Sequence, residues 1–110
     1  EKALRYDAIQ QATQFAITTP FQVMQTAYDS MQVMKAMAEI GNPNSVTDAG
    51  VGALCARTSV IGAFLNVKIN CADYEDKKFV KDITEKGQKL VDEACKLENE
   101  IMKITYSKIN

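Results

Sequence analysis

The chain has 110 residues, a formal net charge of −1 and no histidine. That length supports one domain at most. Near-neutral charge, 7% aromatic residues and no tryptophan leave neither the basic footprint nor the stacking platforms of a nucleic-acid binder. The missing histidine excludes Ser-His-Asp and Cys-His triads and histidine metal sites, so acid–base work at neutral pH falls to carboxylates, Lys, Tyr, Cys or a partner chain.

Everything reads as helix, because Gly and Pro are few and no strand-like alternation persists. Glu1-Lys2-Ala3 is already helix-like, so no leader peptide is expected, and a start without Met reads as a processed product or a piece of something longer. Residues 2–17 carry Leu4, Ala8, Ala12, Phe15 and Ala16 at helical spacing, the expected inner face. Pro20 is expected to end this helix at Thr18-Thr19 and to start the next, with Thr19 as N-cap; a kink in one long helix is the alternative. Residues 8–28 carry no charge, yet five Gln, four Thr and a Pro make them unfit to span a membrane. Over residues 20–40, Met24, Ala27, Met31, Met34 and Ala38 step by three and four, which predicts a core seam filled by adaptable thioethers.

GNPNSVTD follows at residues 41–48. Gly41 fits a left-handed helix cap and Pro43 forbids continuation. Ser45, three before Asp48, matches a capping box, and Asp48 lies where the helix dipole favours an acid. Residues 45–71 then hold only Asp48, Arg57 and Lys68 as charges. A helix of about 40 Å that is apolar all round should be buried all round. Gly50, Gly52 and Gly62 imply close approach of a neighbouring backbone. Asn66 and Asn70, four apart, are expected to bridge helices or subunits. Arg57 is expected to pair with an acid of a neighbouring helix.

Asp73 and Asp76 offer a second capping box, opening the last helix. There Ile83, Gly87, Leu90, Ala94, Leu97, Ile101 and Ile104 form a heptad seam, with alternating Lys and acids on the other faces. Cys55, Cys71 and Cys95 include no CxxC pair and read as small apolar residues in a reducing compartment. The fold class is therefore all-α: an antiparallel up-and-down bundle of three to four long helices, completed by a second subunit or by a missing N-terminal half.

Two blocks carry a resemblance. GNPNSVTDAGVGAL at residues 41–54 and GAFLNVKIN at residues 62–70 closely resemble the cyclodeaminase/cyclohydrolase family, which includes the C-terminal domain of formiminotransferase-cyclodeaminase and bacterial methenyltetrahydrofolate cyclohydrolases. The EK-x-x-R-x-x-A-I-Q-x-A opening, Pro20 and D-x-x-F at Asp76 to Phe79 also fit, so the resemblance covers residues 1–110. It implies a helical bundle that acts on a tetrahydrofolate derivative without a metal. The reaction would expel ammonia from 5-formiminotetrahydrofolate or hydrolyse 5,10-methenyltetrahydrofolate. It also implies a cytoplasmic protein and a homodimer or higher oligomer. The family domain is about twice as long, and its P-G-G-G-S segment and acidic helix, with the residue usually assigned to catalysis, belong to an N-terminal half that these residues do not include. The chain alone is expected to be inactive.

Within that reading Asp48 is the candidate for moving protons, Asn42 and Asn44 are candidates for contacting substrate beside a helix N-terminus, and Lys68 is the candidate for receiving the glutamyl carboxylates of folate. The competing reading is a non-catalytic helical interaction module that binds a partner helix.

Overall fold

Ile17, Met24, Met31 and Ala38 fall seven residues apart, and this spacing sets the inner stripe of the first helix. The structure is a computed structural model that describes residues 1–109. It contains three long helices: α1 at Lys2–Ile40, α2 at Val46–Cys71 and α3 at Lys77–Ile109, with a short 3-10 turn at Pro43–Ser45. Asn70 of α2 lies against Ala16 of α1, and Phe64 and Thr105 meet Gly87 and Gly50 across α2 and α3. The helices therefore run up, down and up. This is the expected bundle, with three members rather than four.

The count is three because Pro20 does not break α1. Proline has no N–H to offer the carbonyl four residues back, here that of Ala16. Asn70 supplies the missing donor: its Nδ2 lies 2.9 Å from Ala16 O. The asparagine thus bridges helices, as its position among apolar neighbours requires.

Two expectations about faces fail. Leu4, Ala8, Ala12 and Phe15 are exposed, and only Ala16 of that set is partly covered. The inner stripe of this part of α1 runs instead through Gln10, Thr13 and Ile17, with Tyr6, still exposed, one turn before it. Beyond the end of α2 it meets the polar loop 72–76. There the Tyr6 hydroxyl donates to the Glu75 carboxylate and Gln10 Oε1 accepts from the Glu75 N–H at 3.1 Å. The Glu75 carboxylate, accepting that hydroxyl, raises the Tyr6 phenol above its ordinary range.

The second failure concerns α2. Its inner stripe, from Val46 through Ala53, Val60 and Val67 to Cys71, is buried against α1 and α3. Its outer half is not: Val51, Leu54, Leu65 and Ile69 are exposed. Two neighbours cover about half of a helix, so the all-round burial its composition calls for is not met within this chain. The stretch Pro43–Cys71 is long and apolar enough to cross a membrane by length and composition.

The seam of α3 follows the heptad, with Ile83, Gly87, Ala94, Leu97 and Ile101 buried and Leu90 and Ile104 packed against them; Thr105 joins them. Gly87 is required by packing, since a Cβ there would lie 2.4 Å from Phe64 Cε1. The α3 N-cap is Asp76, whose Oδ1 accepts from the Phe79 N–H at 3.1 Å, so the box expected to open at Asp73 is displaced by one turn. Lys35 pairs with Glu100 at 3.2 Å and Arg57 with Glu98 at 4.0 Å, both near the surface, where such pairs contribute about 0–1 kcal/mol.

The Pro20–Asn70 arrangement has a thermodynamic signature. Asn70→Ala should lower stability by about 1–2 kcal/mol because Ala16 O loses its donor. With Pro20→Ala already in place, an alanine N–H can serve that carbonyl, and Asn70→Ala should then cost about 1 kcal/mol less. Urea unfolding of the four proteins followed by circular dichroism measures the coupling; equal costs in both backgrounds would contradict it.

Candidate functional site

The Asn-rich turn is built by its own backbone. Asn42 Oδ1 accepts from the Asn44 N–H at 2.9 Å, and the Ser45 N–H donates to Asn42 O at 2.9 Å. The Val46 N–H continues the 3-10 turn by bonding Pro43 O. These carbonyls take the amides of Ser45 and Val46, and Ser45 makes no side-chain cap bond to the amides that follow. The expected Ser45–Asp48 capping box is therefore not formed. Asp48 is exposed in the first turn of α2, where it still complements the dipole. Asn42 and Asn44 are exposed as well; the turn uses the Asn42 oxygen and leaves its Nδ2 and the Asn44 amide facing outward.

Gly41 is extended, with φ −77° and ψ −179°, rather than left-handed. The carbonyls that a left-handed cap would satisfy are met from outside: Lys108 Nζ lies 2.5 Å from Ala38 O and 2.6 Å from Glu39 O. A cation at this end also suits the helix dipole. Glycine is needed because a Cβ would sit 2.4 Å from Met37 O, which accepts the Gly41 N–H.

Lys68 is exposed near the far end of α2, its Nζ 4.9 Å from the centroid of the Phe64 ring. Twenty residues of helix separate it from Asp48, about 30 Å along the axis. The structure thus brings Asn42, Asn44 and Asp48 to one end of α2 and does not bring Lys68 to them. Arg57 faces α3, its Nε 3.4 Å from Cys95 Sγ and its head near Glu98, as expected of a residue with no site role.

The concavities between α1 and α2 lie elsewhere. A groove of about 430 Å³ is lined by Phe15, Thr19, Pro20, Val23, Asn66 and Asn70, with Ala16 at its wall. A second, of about 420 Å³, continues from Thr19 and Val23 past Thr26 and Ser30 to Ser59. Both are floored by apolar atoms and edged by amides and hydroxyls. Neither is lined by an ionisable group, so they can bind and orient but cannot move a proton. The ionisable concavity is on the α3 side, where Tyr28, Lys35, Glu93, Lys96 and Glu100 face one another. Burial, then the Glu93 charge, raises the Tyr28 phenol there.

Thr19, Ser59 and Phe15 were not legible as groove residues. The one usable signal is the uncharged run around Pro20, since a proline inside a helix marks a place where another group must approach. Of the cysteines, Cys71 is buried, and burial pushes its thiol up, against nucleophilic use. Cys55 is exposed, which its reading as a small apolar residue did not anticipate.

Comparison with known proteins gives the family. The sequence profile of formiminotransferase-cyclodeaminase matches residues 1–89. A methenyltetrahydrofolate cyclohydrolase of Methylorubrum extorquens is 32% identical over 110 residues, 100% of this chain and 53% of that protein. Formimidoyltransferase-cyclodeaminases of Gallus gallus and Dictyostelium discoideum are 31% identical over 94 residues and 30% identical over 97 residues. These matches cover 86% and 88% of this chain and 17% and 18% of the respective relatives. The chain thus spans about half the length of the cyclohydrolase and a small part of the larger proteins. On the profile match and the full-length alignment together, this three-helix chain belongs to the formiminotransferase-cyclodeaminase family.

Proposed function

We propose that the chain supplies the C-terminal half of a folate one-carbon enzyme, acting as a 5,10-methenyltetrahydrofolate cyclohydrolase or a formiminotetrahydrofolate cyclodeaminase. The observation that carries this reading is the match over residues 1–89, with the Asn-rich turn at its centre and a cyclohydrolase aligned along the whole chain. In the hydrolytic reaction water adds to the methenyl carbon, the bond from that carbon to N5 breaks, and the formyl group stays on N10 with release of a proton. In the deamination N10 attacks the formimino carbon and the former imine nitrogen leaves, protonated, as ammonia. Both need a group that moves protons, and the deamination also needs a site that keeps water from its methenyl product.

The geometry supports a division of labour. The α1–α2 grooves carry only amides, hydroxyls and apolar surface. Asp48 is an exposed carboxylate in the first turn of α2, the end that also carries the outward amides of Asn42 and Asn44, where a helix N-terminus favours a pterin oxygen. Lys68, about 30 Å away, can meet such a substrate only through its extended glutamyl tail. The acid usually assigned to catalysis in this family would come from the N-terminal half, so this chain alone is not expected to turn over folate. A cytoplasmic setting fits three unpaired cysteines, and assembly as a homodimer or higher oligomer is carried over from the family resemblance.

The second reading, a non-catalytic interaction module, is favoured by one observation: no ionisable side chain lines the α1–α2 grooves. Methenyltetrahydrofolate absorbance discriminates the two, because hydrolysis consumes that compound and deamination produces it. The chain combined with an N-terminal half should remove the absorbance of methenyltetrahydrofolate or build it from 5-formiminotetrahydrofolate; a folded complex that does neither favours the interaction module.

Two substitutions in the complete domain test the residue roles. Asp48→Asn should lower kcat about 100-fold with little change in Tm, as removal of a proton carrier does. Retained turnover with stability lowered by about 0.3–1 kcal/mol would leave Asp48 only its helix-dipole role. Lys68→Met should raise KM about tenfold for polyglutamylated folate and much less for the monoglutamate; equal values for both substrates would remove the tail-binding role.

A further inference from the structure

The largest feature not used above is the face of α1 and α2 turned away from α3. On α1 it exposes Phe15, Val23, Val33 and Met37, and on α2 Val51, Leu65 and Ile69. It carries almost no charge. Residues 8–28 of α1 have none. On α2, Arg57 is turned to Cys95 and Glu98 of α3, and Lys68 lies over Phe64, whose ring packs at Gly87 of α3. The two cations of α2 are thus drawn to the α3 side. The outer face of α3, by contrast, is dense in exposed Lys, Asp and Glu and is suited to water.

Three further observations say that the open face is unfinished. The molecule is a rod of 65 × 19 × 16 Å with a radius of gyration of 17.8 Å, against about 13 Å for a compact domain of this length. Its accessible surface is 7092 Å², against about 6,100 Å² for a compact monomer of this mass. Gly62 lies at the centre of the exposed side of α2, and a Cβ there would meet nothing within 4 Å. A glycine inside a long helix, with open space before it, has no use within this chain. It is useful where another backbone comes close.

We propose that this face seats a layer of helices from the remainder of the same family domain, with Gly62 at the point of closest approach. The inference rests on reading this chain as the C-terminal half. The cyclohydrolase relative is covered to 53% of its length, which leaves outside the match about 100 residues, enough for two helices as long as α1. In that relative both parts belong to one chain, so their pairing is intramolecular and outcompetes pairing of this face with a second copy.

The test combines the 110-residue chain with the portion of the Methylorubrum extorquens cyclohydrolase that lies outside the match. Native mass spectrometry reads the stoichiometry, and the alkylation rate of Cys55, exposed beside this face, reads its coverage. A 1:1 complex with slowed Cys55 alkylation is expected. Leu65→Glu and Gly62→Leu should each weaken it by about tenfold or more, while Lys81→Glu on the outer face of α3 should not. Gly62→Leu should also raise the Tm of the isolated chain, because leucine favours helix and nothing obstructs it. Loss of the complex and gain in Tm are opposite signs that simple misfolding cannot produce.

A complex indifferent to both face substitutions would overturn the proposal. So would a homodimer of the chain that Val23→Glu dissolves and the added segment does not displace, or capture of the chain by phosphatidylcholine vesicles in place of the segment. A complex that forms as expected yet neither consumes methenyltetrahydrofolate nor forms it from 5-formiminotetrahydrofolate would count against the enzymatic reading and leave the docking surface standing.

Discussion

Burial of α2 is the constraint on which the rest of the structure depends. Its circumference is apolar, and this chain gives it two neighbours, enough for one side. The inner side is lined with small residues: Ala49, Gly50, Ala53, Ala56 and Ala63. They let α1 and α3 come near enough for the larger side chains to interlock, with Met24 and Met31 arriving from α1 and Ile101 from α3. Apolar area removed from water contributes about 25 cal/mol per Å², so a helix wet around half its circumference gives up a large share of the stabilisation that its sequence offers.

The same helix repairs the one backbone defect of α1. Pro20 sits inside a continuous helix of 39 residues because Asn70, on the facing helix, supplies a hydrogen bond that the proline cannot. This exchange of a local bond for a tertiary one ties the register of α1 to that of α2. It also places an amide, a hydroxyl at Thr19 and an aromatic edge at Phe15 around one groove. The groove follows from the repair, and its lack of ionisable groups fits one wall of a site better than a whole one.

The two ends of α2 differ in how they are held. At the Gly41–Val46 corner the turn satisfies its amides internally, and Lys108 reaches across from α3 to cap α1. That leaves Asn42, Asn44 and Asp48 free of structural duties beyond the turn itself and the dipole. At the other end Lys68 is held over Phe64 and the chain enters a polar loop anchored by Tyr6 and Gln10.

Periodicity and composition alone determined the helical class, the Met seam of α1, the heptad seam of α3, the corner at Pro43 and the uneasy burial of residues 45–71. These are properties of local spacing, and a 3.6-residue period carries them whatever the neighbours do. Tertiary structure decided the rest. Pro20 reads as a break until a donor on another helix is known. Leu4 reads as inward until α2 proves too short to reach it, and Phe15 until the buried stripe runs through Ile17 and leaves it at the rim of a groove with Asn66 and Asn70. Gly41 reads as left-handed until Lys108 supplies the cap, and Ser45 reads as a capping residue until a 3-10 turn takes its amides. In each case the deciding group lies far along the chain or in the turn geometry, where no local pattern of residues can report it.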